Sequence, residues 1–195
     1  IAGTNGKGSV TALVESALRA AGLQTGRYTS PHLVRLNERF AVHGQPVSDG
    51  TLRAVVSHVH DAVVALRSRG RLETHPTFFE VTTATAFEIF RRAGVQIAVC
   101  EVGLGGRLDA TNVLSPMASA ITSIGFDHQQ HLGHTIAQIA AEKAGIVKTG
   151  VPVVIGDMDA VAAGVIARTA HERHAPLIQA SENVHVDAQP AVRLG

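Results

Sequence analysis

The sequence predicts an α/β fold of three layers, with helices covering both faces of a mostly parallel sheet. Short runs that are apolar on both faces alternate along the chain with segments of helical periodicity, the arrangement a covered parallel sheet requires. Glycines stand where the helical segments stop, and a glycine-rich turn leads straight into the first of them. The 195 residues, 45% of them hydrophobic, suffice for one well-buried core.

Taken in order, Val10, Leu13, Val14, Ala17, Leu18 and Ala21 keep helical spacing, and Gly22 occupies the C-terminal cap position. Residues 25–29 form a candidate strand. Ser48 caps a second helix that carries Leu52, Val55, Val56, Val59, Val63 and Leu66 toward Arg69, where Gly70 breaks it. Residues 77–93 read as a third helix with Phe78, Val81, Phe87 and Phe90 available for burial. Later helices are expected over 135–147 and 159–174, and strands over 95–102, 117–124 and 151–155. The stretch 183–195 starts like a strand and stops without cap or partner. With no initiator Met, the chain reads as a single domain truncated at both ends.

Bulk composition narrows the function. The net charge is +1 and the basic residues are scattered, which argues against a nucleic-acid footprint or a membrane-binding basic patch and for small-molecule partners. No apolar run approaches the roughly 18–20 residues of a membrane span, and no signal peptide is evident. Cys100, the single cysteine, lies in an apolar run and reads as a buried, inert thiol. A cytoplasmic location is the expectation.

The opening segment Gly3, Thr4, Asn5, Gly6, Lys7, Gly8, Ser9 has the parts of a phosphate cradle. Glycines let backbone N–H groups converge on an anion, a lysine holds terminal phosphates, and a hydroxyl holds a metal. It departs from the general Walker pattern, since two residues separate Gly3 from Gly6 and Gly8 intervenes between Lys7 and Ser9. The alternative, an ordinary glycine-rich turn with a solvated lysine, fits poorly with a position at a helix N-terminus, where dipole and free amides favour phosphate. Glu101 ends an apolar strand, the edge at which α/β sheets bind ligands. Magnesium, which takes oxygen ligands, suits a carboxylate there.

Further segments follow in a set order: Tyr28 to Leu33 (YTSPHL) with Asn37, Glu38 and Arg39; Thr77 to Glu80 (TFFE); Glu101 to Asn112 (EVGLGGRLDATN); Asp127 and His128; and Glu142 to Gly145 (EKAG). With GTNGKGSV these resemble the Mur ligase superfamily, specifically its folylpolyglutamate and dihydrofolate synthase branch. The likeness runs from the first residues to about Gly156.

That resemblance implies a P-loop fold like the Mur ligase central domain and ATP-dependent amide bond formation, in which a carboxylate is phosphorylated and an amine displaces the phosphate. It implies that Lys7 and the amides of Thr4 to Gly8 offset phosphate charge, and that Ser30, Glu101 and His128, with Ser9, hold the metal. Lys143 would be carbamylated, turning a cation into an anionic metal ligand, which requires an amine of lowered proton affinity. Thr77, Leu108, Asp109 and Ala110 would contact the pterin-bearing substrate. The substrates implied are ATP, L-glutamate and either folate or dihydropteroate, acting on a monomer that a C-terminal domain completes.

Several readings stay open on the residues alone. Arg107 is either a loop anchor or an anion contact, and one of Phe78 and Phe79 stacks while the other joins the core. The spacing His128, His131, His134 raises zinc, although the resemblance places only His128 at a ligand position. Another carboxylate substrate within the superfamily, or a nucleotide-binding module without catalysis, are the competing functions.

Overall fold

A computed structural model describes residues 1–183. In chain order the main elements are α1 (Lys7–Ala20), β1 (Thr25–Tyr28), β2 (Phe40–Val42), β3 (Gln45–Pro46), α2 (Asp49–Ser68), α3 (Phe78–Arg92), β4 (Ile97–Cys100), β5 (Ser119–Ile121), α4 (Gln129–Leu132), α5 (Ile136–Ala144), β6 (Val153–Ile155), α6 (Ala160–Glu172), β7 (Leu177–Gln179) and α7 (Ala180–Asn183). Asn183 ends α7, so the strand expected there does not begin at that residue, and the remainder of 183–195 lies outside the described residues.

The strands form two sheets, β3-β2-β1-β4 and β5-β6-β7. Residues 1–4 join them. The Ile1 nitrogen donates to Cys100 O at 2.7 Å and Val102 N to Ile1 O at 2.9 Å, while Ala2 bridges Ile121 in parallel. The pairs β1–β4, β5–β6 and β6–β7 are parallel, so the mostly parallel sheet holds; the exception is the antiparallel edge β1–β2–β3. That edge closes through His43 and Gly44, both at positive φ (51° and 79°), the backbone a two-residue hairpin with right-handed twist demands.

Side-chain alternation along β1 creates the layers. Thr25 turns toward α1, its hydroxyl bonding the buried Glu15 at 2.5 Å, whereas a Cβ at Gly26 would lie 2.8 Å from the Phe90 ring of α3. Tyr28, on the same face as Gly26, is fully buried; it stacks on Phe40 at 5.8 Å and donates or accepts at Thr82 and Thr83. Around them, Leu52, Val55 and Val59 of α2 and Ala86, Ile89 and Phe90 of α3 complete one core. A second core gathers Ile121, Val153, Ile155, Ile166 and Ala170 beneath α5 and α6. Each large apolar side chain so buried contributes roughly 1.5–3 kcal/mol.

Ser48 caps its helix as expected, and Thr77, Thr135 and Asp159, read as helix starts, are N-caps as well; each accepts from a first-turn amide. The strands and α5 are shorter than expected, and at the site α1 starts at Lys7 rather than Val10. Gly6, at φ 80°, is its N-cap, and Val10 N to Gly6 O is the first helical bond. Lys7, Gly8 and Ser9 therefore form the helix's first turn.

Candidate active site

Four chain segments leave the C-terminal edge of the sheet side by side. Residues 3–9 follow the strand-like start, 29–35 follow β1, 101–109 follow β4 and 122–128 follow β5. This is where an open α/β sheet places its ligands.

The phosphate loop is held by the segment after β5. Thr4 N donates to Ser123 O at 2.7 Å, Asn5 N to Ser123 Oγ at 3.2 Å, and Thr122 Oγ1 to Asn5 O at 2.6 Å. Thr4 Oγ1 donates to Gly125 O and accepts from Gly125 N. Two of the amides expected to cradle phosphate, those of Thr4 and Asn5, are thus spent on loop structure, and Gly6, Lys7, Gly8 and Ser9 are the ones left to offer to an anion. These four precede the first helical bond, so α1 itself offers their N–H groups no acceptor. Lys7 Nζ donates to Thr4 O at 3.1 Å.

Glu101 stands against this loop. It is 4% exposed, and a Cβ added at Gly8 would lie 3.7 and 3.8 Å from its two carboxylate oxygens. Ser30 N donates to Oε2 at 3.0 Å, which fixes the segment after β1 to the one after β4. Burial raises the Glu101 carboxyl pKa, opposed by the Ser30 N–H and by the charges of Lys7 and Arg39. The Lys7 ammonium and the Glu101 carboxylate therefore share one side of the sheet and one electrostatic field.

Lys143, 4% exposed, reaches from α5 to donate to Gly3 O at 2.8 Å. Burial first, then the charge of Lys7, lower its ammonium to about 8, against the opposing pull of Asp127. Gly3, Lys7, Gly103, Asp127, His128 and Lys143 line a common cleft. His128 sits in the left-handed region at φ 46°, with Nε2 3.6 Å from Asp127 Oδ1. His131 lies within α4 and His134 precedes α5; among the described residues no three His, Cys, Asp or Glu side chains assemble into a metal cluster. Ser9 is exposed on the first turn of α1. Cys100 lies below the site, its thiol pushed up to about 11 by burial.

The glycine run after β4 is shaped by close packing. A Cβ at Gly106 would fall 2.8 Å from the carbonyls of both Glu142 and Lys143, and one at Gly145 would strike the Arg107 backbone. The two motifs are spatial partners, with Arg107 pairing Glu142 at 2.9 Å. Arg107 is the loop anchor of the two roles left open. Asp109 Oδ2 accepts from Gly103 N and Leu104 N, and Oδ1 from Thr111 N and Oγ1, at 2.6–3.0 Å. Its carboxylate braces the loop, leaving Leu108 80% exposed and Ala110 half-buried beside it. Thr77 spends its hydroxyl on the capping box with Glu80. Phe79 packs against Tyr28 and beneath Gly103, and Phe78 is the exposed ring of the pair.

Sequence reasoning missed Thr122, Ser123 and Gly125 as supports of the phosphate loop. Two hydroxyls following a strand were the available signal.

Known proteins share this arrangement. The chain is 44% identical over 167 residues to the folylpolyglutamate synthase of Lacticaseibacillus casei, covering 86% of this chain and 39% of the relative. It is 46% identical over 180 residues to the dihydrofolate synthase/folylpolyglutamate synthase of Bacillus subtilis, covering 92% and 41%. Among solved structures, an FPGS–AMPPCP–folate complex superposes with a TM-score of 0.88 at 42% identity, covering 91% of this chain and 43% of that one. E. coli FolC in complex with DHPP and ADP superposes at 0.82 and 39% identity, covering 91% and 41%. The chain spans about two-fifths of the length of these relatives. The Mur ligase middle domain family model matches residues 1–193, and the chain, with its phosphate loop and its Glu101 at one edge of a mostly parallel sheet, belongs to that family.

Proposed function

We propose that this chain is the nucleotide-binding part of an ATP-dependent ligase that joins L-glutamate to the carboxylate of a folate or of dihydropteroate through an acyl phosphate. The carrying observation is the approach of the Glu101 carboxylate to Gly8 of the phosphate loop, with Lys7 and Lys143 in the same cleft. Relatives named as folylpolyglutamate and dihydrofolate synthases support the substrate class.

The chemistry follows from charge. A triphosphate and a carboxylate repel, so transfer requires cations and fixed donors around the moving phosphoryl group. The amides of Gly6 to Ser9 and the Lys7 ammonium supply donors that need no reorganisation. The donor set of Glu101, Ser30, Ser9 and His128 is mostly oxygen and fits magnesium. A bound magnesium would neutralise developing charge on the phosphates. Lys143, which gives up its proton more readily than an ordinary lysine, is suited to carbamylation, which would add a second anionic ligand. Thr77, Leu108 and Ala110 border the approach of the pterin-bearing substrate, and Asp109 keeps their loop in shape.

A C-terminal domain would bring the glutamate site, and residues 1–195 assayed by themselves should bind nucleotide without making amide bonds. The enzyme works as a cytoplasmic monomer with neither nucleic-acid nor membrane partner; among the described residues no helix is long and apolar enough to cross a membrane. The test is ADP release by the full-length gene product with dihydropteroate or tetrahydrofolate, each with and without glutamate. Release and glutamylated product that require both substrates support the reading. Absence of product with either pteridine would overturn it.

A further inference from the structure

Arg39 is 7% exposed, yet among the described residues its Nη nitrogens have no hydrogen-bond partner and no carboxylate within ion-pair distance. Arg35, Arg91, Arg92 and Arg107, all more exposed, each meet a carboxylate at 2.6–2.9 Å. The Nη atoms are not among the buried unpartnered ones, so the guanidinium is enclosed along its stem while its fork still reaches solvent.

The surroundings hold the group without neutralising it. Its Nε donates to His32 Nδ1 at 2.9 Å, which makes that imidazole nitrogen an acceptor. The Phe78 ring lies 5.5 Å beneath the guanidinium carbon, a cation–π contact. The backbone is equally fixed, since Thr29 N donates to Arg39 O at 3.1 Å. The next residue, Ser30, donates to Glu101. Glu38 braces the intervening loop by accepting from the amides of Leu33, Val34 and Arg35 at 2.7, 3.0 and 2.6 Å. A rigid fork of donors with no carboxylate bonded to it therefore stands beside the segment that carries Ser30, close enough for its charge to act on Glu101.

We infer that Arg39 is the anion contact for the carboxylate that becomes phosphorylated, held by His32 and Phe78 so that its two Nη nitrogens face that carboxylate. A planar fork matches a carboxylate in bidentate geometry, which an ammonium cannot do. The inference rests on the proposed ligase function and deepens it by assigning the acyl substrate's charged end.

The test uses the full-length gene product with Arg39→Met and Arg39→Lys. The expected result is a rise of about tenfold or more in KM for dihydropteroate or tetrahydrofolate, with KM for ATP and for glutamate held within about twofold. AMPPCP affinity of each variant checks that the nucleotide site is intact. As inhibitors of the wild type, a pteroate carboxylate binds better than its carboxamide, and Arg39→Met abolishes that preference. A rise confined to ATP or glutamate, or an unchanged preference for the carboxylate, overturns the assignment. On the native protein, saturating carboxylate substrate should protect Arg39 from phenylglyoxal, read by peptide mass spectrometry; labelling that substrate leaves unchanged, or no labelling at all, also counts against it. Wild-type enzyme without turnover on either pteridine removes the ligase reading and this inference together, whereas normal turnover with unmoved KM removes this inference alone.

Discussion

Gly3→Ala is a sharp perturbation of the phosphate loop. Gly3 sits at φ 149°, and a Cβ there would overlap Thr122 Oγ1 and lie 3.2 Å from both Thr122 Cβ and N. Thr122 cannot yield freely, because the same oxygen donates to Asn5 O at 2.6 Å and so shapes the loop. Relief of the overlap gives up that bond, about 0.5–1.5 kcal/mol, and the alanine keeps a backbone conformation that costs about 1–3 kcal/mol. The combined loss of about 2–4 kcal/mol corresponds to a fall in Tm of roughly 5–15 °C for a domain of this size. Thermal unfolding by circular dichroism measures the first effect, and calorimetric titration with AMPPCP measures the loss of nucleotide affinity that accompanies a displaced loop. In a Thr122→Ala background the overlap is gone, and Gly3→Ala should cost about 1 kcal/mol less. A Gly3→Ala protein melting within about 2 °C of wild type, with unchanged affinity, would refute the packing argument.

Lys143 gives a pH signature. Its folded value of about 8 lies below its ordinary 10.5, so below pH 8 both states are protonated and the native state carries the full burial penalty. Between 8 and 10.5 the unfolded chain keeps the proton that the native state has released, and stability rises with pH. In carbonate-free buffer, urea unfolding of wild type relative to Lys143→Met should show a relative gain of about 1–2 kcal/mol across that window, discounted for solvent reaching the cleft; a flat difference would contradict the buried ammonium. If Lys143 is carbamylated in the working enzyme, a short-chain carboxylate should restore part of the activity lost in Lys143→Ala, and full activity in that variant would exclude the role. Asp109→Asn should destabilise by about 1–3 kcal/mol, because an amide nitrogen would face the Gly103 and Leu104 donors or the Thr111 ones; a Tm equal to wild type would show that the carboxylate is not the brace of its loop.

Much of the fold was legible because the signals are local. Ser48, Thr77, Thr135 and Asp159 cap helices through amides two or three residues away, and β4 and β6 lie within contiguous apolar runs. The β2–β3 hairpin was not visible, since strands of three and two residues offer no periodicity and the turn relies on His43 at positive φ. Residues 1–4 read as a turn, yet they bridge the two sheets, because only pairing with residues about a hundred positions away gives them strand character. The early start of α1 escaped the apolar pattern because Lys7, Gly8 and Ser9 carry no apolar side chain. At the site, the motif residues were identifiable from the sequence, whereas their division of labour was not. The internal use of the Asp109 carboxylate and of the Thr4 and Asn5 amides, and the unpaired fork of Arg39, depend on which segments the sheet brings together.

The central claim is that the first turn of α1 and Glu101 serve one metal-bound triphosphate. Calorimetric titration of AMPPCP into wild type and Glu101→Gln, each with and without magnesium, addresses it directly, since the substitution keeps size and removes only the charge. Wild type should bind the analogue at least about tenfold more tightly with the metal, and the variant should lose most of that gain while its metal-free affinity is equal or better. An undiminished magnesium effect in Glu101→Gln would contradict the account.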